Sequence, residues 1–434
     1  MIVRLLLGGN LLAEIKPFRG IRYNQAAIGD LSKVVCPPYD VISPQDRAYY
    51  HSLHPNNFVR LVLGEERETD DELENRFTRA RHYLEDWLAK GILKQDPVPA
   101  IYVYQQEFNL GDDRRTIRGF ICAVRLHEYA ESVILPHEDT LSKPKSELIQ
   151  LIRAVRANLD SVYGLYGDEQ GKVDAILEQV SQTPPEAYAI DKDGVLHKLW
   201  LLTDPKAIST IADHLEPCRI AIADGHHRYE TALAYRQECK SKTTETNEHP
   251  CDYTLMTLVN VHQKDLTVFP THRVVKNIPD EIVKKLDIDL PDYFDIEPSS
   301  ADSLVQDMRS RRAIGMFTCE TVVTLRPKPE SRALIPGSPA SQALELNVLH
   351  KLILERVLGI NQEKLRNQDH IYYTRDADEA MELVRKGHGQ VAFLLNNIDV
   401  RSVLEIATAG ERMPQKATYF YPKLISGLVA RILY

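Results

Sequence analysis

Residues 219–232 read Arg219-Ile220-Ala221-Ile222-Ala223-Asp224-Gly225-His226-His227-Arg228-Tyr229-Glu230-Thr231-Ala232, and they decide the fold. Arg219 to Ala223 is a short apolar run, the signature of a buried strand. Tyr229 to Cys239 holds good helix formers with neither Gly nor Pro. The spacing therefore predicts a strand, a turn at Gly225 and a helix, with Asp224 as the N-cap. A helix start presents unpaired N–H groups and a partial positive charge, which suits an anion. His226, His227 and Arg228 add donors at the same place, so the expected ligand is a phosphate group. The bland alternative is a turn whose histidines face solvent.

The composition narrows the classes. The 434 residues suffice for two or three domains. Hydrophobic content of 43% and charged content of 26% are those of a soluble globular chain. A net charge of −9 argues against a broad nucleic-acid footprint, which needs a basic surface. Cys36, Cys122, Cys218, Cys239, Cys251 and Cys319 lack CxxC spacing. They read as reduced thiols, neither a zinc pattern nor a disulfide framework. Val3 to Leu7 is too short for a signal-peptide core. No stretch approaches the ~18 apolar residues of a membrane span. The expected location is the cytoplasm.

Several other stretches carry chemistry. In Cys36-Pro37-Pro38-Tyr39-Asp40 the two prolines force extended backbone and hold Asp40 on a stiff loop. Asp40 reads equally as a working acid or as a turn cap. Ser43-Pro44 then starts a helix. Asn57 to Leu63 reads as a strand. Asp70 to Lys90 reads as a helix with Leu73, Phe77, Leu84 and Trp87 on one face. Ala100 to Phe108 and Arg114 to Leu126 read as a hairpin around Gly111. His137, Glu138, Lys143 and Lys145 crowd one polar loop, with Ser146 as the cap of a helix from Glu147 to Asn158. The loop lacks the HExxH pattern of metalloproteases. Tyr253 to Asn260 reads as a central strand, followed by the His272-Arg273 pair. Ala343 to Leu358 reads as one helix. Met413 to Gly427 sets Lys416 and Lys423 among aromatics and prolines, as point charges for an anion or as solvated lysines. Neither GxxxxGK[ST] nor a post-strand GxGxxG is present, so a nucleotide site needs another design.

The stretches CPPYDVIS, LPHEDT with KPK, ADGHHRYETA, FPTHR and MPQKATYFYPKLISG together resemble domain-of-unknown-function family 1015, a family of conserved prokaryotic proteins. The likeness runs from about Ile15 to the C-terminus. The turn Gly225-His226-His227-Arg228 is also similar to the phosphate-binding turn of the ParB and sulfiredoxin superfamily, and most of all to its free-serine kinases. Sulfiredoxin needs Cys where this chain has His226, which counts against that reaction.

The resemblance implies an α+β fold with mixed sheets. A ParB/sulfiredoxin-like core with insertions is expected over residues 12–275. A smaller α+β lobe is expected over 276–434, its C-terminal segment returning to the site. It also implies a nucleotide-dependent phosphotransferase, a kinase for a small hydroxyl-bearing and serine-like metabolite, using ATP or ADP and Mg²⁺. Asp224, Gly225, His226, His227, Arg228, Lys143, Lys145, Lys416 and Lys423 would bind the nucleotide. Asp40 or Glu138, with His137, would handle the proton, and Asp224 would hold the metal. The expected partners are nucleotide and small molecule, with a homodimer open and no membrane or nucleic acid. Two other classes stay in view. One is a ParB-type nucleotide switch or slow NTPase. The other is a metal hydrolase with ligands drawn from His137, Glu138, His226, His227 and His272.

Overall fold

The computed structural model describes residues 12–138, 142–241, 248–361, 364–365, 369–414 and 416–434, with the side chains of residues 142–144 set aside. The apolar start at Val3–Leu7 and most of the polar stretch after Lys240 thus lie outside the described residues. The chain is α+β with mixed sheets and divides into two compact units. The first comprises Met1–Pro136, Thr140–Leu266 and Pro422–Tyr434. The second comprises His137–Asp139 and Thr267–Tyr421.

The first unit holds a nine-stranded sheet among the described residues. Its strands are β1 (Ile15–Lys16), β2 (Ile101–Leu110), β3 (Asp113–Arg125), β4 (Ile134–Leu135), β5 (Val162–Tyr166), β6 (Ala187–Ile190), β7 (Leu196–Leu202), β8 (Ile220–Asp224) and β9 (Tyr253–Asn260). The order is β4-β8-β5-β9-β3-β2-β7-β6, with β1 added on β3. β2 and β3 form the expected hairpin, closed by Leu110 opposite Asp113 around Gly111 at φ 61°. That left-handed φ suits glycine. β9 is buried at every residue and lies inside the sheet, parallel to β5 and antiparallel to β3. Burial of both faces accounts for its mostly apolar run, in which Thr254, Thr257 and Asn260 are buried too. Phe120, Tyr166, Trp200, Ile222, Tyr229 and Met256 belong to the core of this unit.

The helices refine several expectations. Helix α1 spans Pro44–Leu53 behind its Ser43 cap. Residues 57–63 are not a strand, since Val59–Val62 is a helical turn, α2. The Asn57 amide donates to the carbonyls of Lys33 and Val35 and its Oδ1 accepts from the Val59 N–H. A short apolar run carries no periodicity to reveal this. Helix α3 begins at Arg76, not Asp70, because Asn75 and Thr78 close a capping box there. Leu73 lies before it and is 87% exposed, so it is not part of the buried face. Helix α4 spans Ser142–Val155. Ser146 is therefore inside the helix, not its cap. Residues 157–158 leave it to pair with Arg431–Ile432, which ties in the C-terminal strand. Helix α5 (Lys172–Ser181), helix α6 (Pro205–Leu215) and helix α7 (His226–Ser241) complete the set used below.

The second unit carries a six-stranded antiparallel sheet among the described residues. Its strands in sheet order are Phe294–Pro298, Val322–Pro327, Ile314–Phe317, Val391–Leu394, His272–Val275 and Ile371–Thr374. The stretch expected as one helix over 343–358 is α-helical over Glu345–Val348 and then widens to a π-helix over Leu349–Val357. His272 and Arg273, which follow β9 in the chain, lie within a buried strand of their own. Burial and the neighbouring Arg273 push His272 down to about 4. Its Nδ1 accepts from the Leu395 N–H, which a neutral ring can do. His350 is pushed down in the same way. The unfolded chain then protonates first, so this contribution to stability is intact above about pH 6.5 and lost as pH falls toward 4. For His272 the difference corresponds to roughly 3 kcal/mol. His272→Gln should flatten the fall in unfolding free energy between about pH 7 and about pH 4.5, read by urea denaturation. An unchanged slope would show that His272 does not drive it.

Candidate functional site

The turn at Gly225 is built by three local features. β8 pairs antiparallel with β5, and its register shifts between Ile222 and Asp224. A bulge of this kind re-aims the side chain at the strand end. Gly225 then takes φ 92°, a conformation an L side chain rarely adopts. α7 starts at His226, so Gly225 occupies the N-cap position expected for Asp224. Asp224, freed from capping, turns its carboxylate to cations. Its Oδ2 accepts from the Arg228 guanidinium at 2.7 Å and its Oδ1 from Lys423 Nζ at 2.8 Å. Arg228 also donates to the Ser161 carbonyl at the head of β5.

The guanidinium folds back over Gly225 so closely that an added Cβ would lie 2.8 Å from Arg228 Nε. Gly225→Ala therefore meets both a strained backbone and a collision. It should cost about 1–3 kcal/mol of stability and displace the guanidinium. Thermal unfolding checks this, and a melting temperature equal to wild type would contradict it.

The electrostatics join residues far apart in sequence. Burial would raise the Asp224 carboxyl, but Lys423 and Arg228, with His226, hold it below the ordinary carboxylate range. Burial lowers His227, against the opposing pull of Glu230 and Asp40. Burial opposes the charge on Arg228, yet Asp224, Asp40 and Asp160 keep its pKa above the ordinary value. The charge of Asp40 thus reaches both His227 and Arg228, and Asp40 stands exposed on a 3-10 turn, Tyr39–Val41. Burial, with Asp40 beside it, also raises the Tyr39 hydroxyl. Lys145 on α4 donates to Glu230 on α7 at 2.9 Å. Lys423 is placed in turn by its carbonyl, which accepts from the Gln106 amide at 2.9 Å.

Asp160 is the residue that sequence reasoning missed. It precedes β5, faces Arg228 and Asp40, and accepts from Ser426. Its Oδ1 is buried without a hydrogen-bond partner. Burial raises its carboxyl above the ordinary value. Its position at the head of the strand next to β8 was the available signal.

The structure therefore brings Asp40, Asp224, Gly225, His226, His227, Arg228, Lys145 and Lys423 together in the first unit. The side chain of Lys143 lies outside the described residues. His137, Glu138 and Lys416 belong to the second unit. There His137 Nε2 meets Thr418 Oγ1 at 2.9 Å, and Glu138 accepts from the Lys416 N–H at 2.6 Å. Glu138 also faces the wholly buried Arg273, whose pKa burial lowers to about 10.

The metal expectations meet this arrangement unfavourably. Both Asp224 oxygens are bound by cations, the electrostatic opposite of a magnesium seat, so the residues present do not fit the ion there. Among the described residues, the grouping of three ligand atoms close together is Cys239, His249 and Cys251. None of His137, Glu138, His226, His227 and His272 belongs to it.

Fold and site together define an α+β protein whose mixed sheet delivers a cation-rich turn to a helix start. The chain belongs to the family described as "Protein of unknown function (DUF1015)", whose profile matches residues 15–351. That match ends before the 413–427 motif. No curated protein matches the sequence. Among solved structures the chain is similar to a conserved hypothetical protein from Pyrococcus furiosus, at 12% identity over 70% of this chain and 94% of that one, with a TM-score of 0.35. It is also similar to a free serine kinase in complex with AMP, at 14% identity over 66% and 83%, with a TM-score of 0.34. SbnI with C-terminal truncation from Staphylococcus aureus is a third, at 12% identity over 72% and 87%, with a TM-score of 0.37. Among the described residues no helix is long and apolar enough to cross a membrane.

Proposed function

We propose that this chain is a nucleotide-dependent phosphotransferase acting on a small hydroxyl-bearing, serine-like metabolite. The observation that carries the reading is that the charge of Asp40 acts on both His227 and Arg228 of the Gly225 turn. An acid beside a phosphate turn is what hydroxyl phosphorylation needs. Phosphoryl transfer asks a protein mainly for positioning and charge neutralisation. The N–H groups at the head of α7, with Lys423 and Lys145, supply the second. Arg228 braces the turn and adds its charge. The substrate hydroxyl oxygen attacks the terminal phosphorus, its proton passes to the Asp40 carboxylate, and the nucleotide leaves with the electrons of the broken P–O bond. Asp40 is exposed and reachable by a substrate, which suits a general base. The likeness of the DGHHR turn to that of the free-serine kinases supports the same reading.

The test is turnover of ATP or ADP with a panel of small alcohols, serine among them. A hydroxyl acceptor should raise nucleotide consumption at least about tenfold and yield a phosphorylated product, since most of the barrier is lowered by positioning the acceptor. A panel with neither stimulation nor product sinks the proposal.

A further inference from the structure

The far end of α7 holds a feature that the nucleotide reading does not use. Cys239, on its last turn, lies with Sγ 2.8 Å from Sγ of Cys251. Cys251 sits in the short 3-10 turn Pro250–Asp252 that leads into β9. Cys251 is buried, Cys239 is half-buried, and both are free thiols. Ile152, Tyr235 and Leu433 enclose the pair in a small apolar cluster. His249 places an imidazole nitrogen within 4.8 Å of both sulfurs.

We infer that Cys239 and Cys251 are a redox-modification site that closes to a reversible disulfide. The sulfurs need approach by less than about 1 Å to bond. A zinc ion accounts less well for the same three residues. Two thiolates on one tetrahedral zinc, at about 2.3 Å each, stand nearly 4 Å apart. His249 Nδ1 is also committed elsewhere, accepting from the Cys251 N–H at 3.1 Å as the cap of the 3-10 turn. A metal-bound histidine instead donates from its second nitrogen.

The oxidant is a peroxide. The half-buried Cys239 is the accessible member, and as thiolate it attacks one peroxide oxygen. The O–O bond breaks and hydroxide leaves, to be protonated to water, while Cys239 carries a sulfenic acid. The Cys251 sulfur attacks the Cys239 sulfur, its thiol proton passes to the departing oxygen, the S–O bond breaks, and a second water forms. Two thiols lose two electrons and two protons, and one peroxide becomes two waters. The bond fastens the last turn of α7 to the start of β9.

The experiment treats the full chain with hydrogen peroxide, blocks the remaining thiols and maps unreduced peptides by mass spectrometry. The expected results are an intact mass lower by about 2 Da, a Cys239–Cys251 linked peptide, and reversal by dithiothreitol. The oxidised chain should also melt a few °C higher, since the link constrains the unfolded state. Cys239→Ser, at the half-buried position, should abolish the linked peptide. The inference is overturned if peroxide gives no linked peptide, or links other cysteines. Stoichiometric zinc in the purified protein that Cys239→Ser removes would equally overturn it.

Discussion

Asp40→Asn should leave nucleotide bound at the Gly225 turn and reduce turnover by about 10²–10⁴-fold, the range that a positioned general base contributes. The separation of the two effects follows from where Asp40 stands. It is exposed on a 3-10 turn, so the isosteric change should alter stability by no more than about 1 kcal/mol, most of it the loss of a charge that helps hold Arg228 ionised. Its charge acts on Arg228 and His227, so it would oppose phosphates held at the proposed site. Removing that charge should leave nucleotide affinity unchanged or slightly tighter. Calorimetric binding and steady-state turnover, measured on the same sample, read the two quantities. A variant that turns over at the wild-type rate reduces Asp40 to a turn residue. A variant that loses nucleotide as well as turnover places Asp40 in binding instead.

The strand, turn and helix around Gly225 were legible because each is a local matter. A β-rich apolar run, a glycine and a run of helix formers leave little else for the chain to do. The β2–β3 hairpin around Gly111 and the two-sided burial of β9 were legible for the same reason. Elements decided by distant partners were not. Residues 57–63 look like a strand, and contacts with distant segments, those of Asn57 to Lys33 and Val35 and of the Phe58 N–H to Val34 among them, accompany α2. The helix over 343–358 gives no local hint of its π-helical half. Asp224 has the right chemistry for an N-cap, yet Lys423, nearly two hundred residues later, draws its carboxylate away. Asp160 was invisible because its meaning comes from strand pairing. It heads β5, whose pairing with β8 brings it to Arg228 and Asp40. The Cys239–Cys251 contact likewise has no spacing rule to announce it.

Arg228→Ala should have the largest effect on the fold of the site. The Arg228 side chain is only 8% exposed and bridges Asp224 at the end of β8 to Ser161 at the head of β5. Its removal leaves the Ser161 carbonyl without this donor and takes from Asp224 the cation on Oδ2, while Lys423 stays on Oδ1. Breaking a buried ion pair by deleting one member destabilises by about 3–5 kcal/mol, because the surviving charge stays buried. The nearby Asp40 and Asp160 lose the same compensating charge. Urea denaturation of Arg228→Ala measures this loss directly. Nucleotide affinity needs a milder probe, since a variant this damaged binds poorly for trivial reasons. Arg228→Lys keeps the charge but not the fork that reaches Asp224 and Ser161 at once. It should remain folded and bind nucleotide at least about tenfold more weakly, because the turn loses the geometry that sets its donors. If Arg228→Lys binds nucleotide as wild type while Arg228→Ala unfolds readily, Arg228 is a brace for the β5–β8 junction alone. Phosphate recognition would then fall to the helix start and to Lys423, which lies 2.8 Å from Asp224 Oδ1.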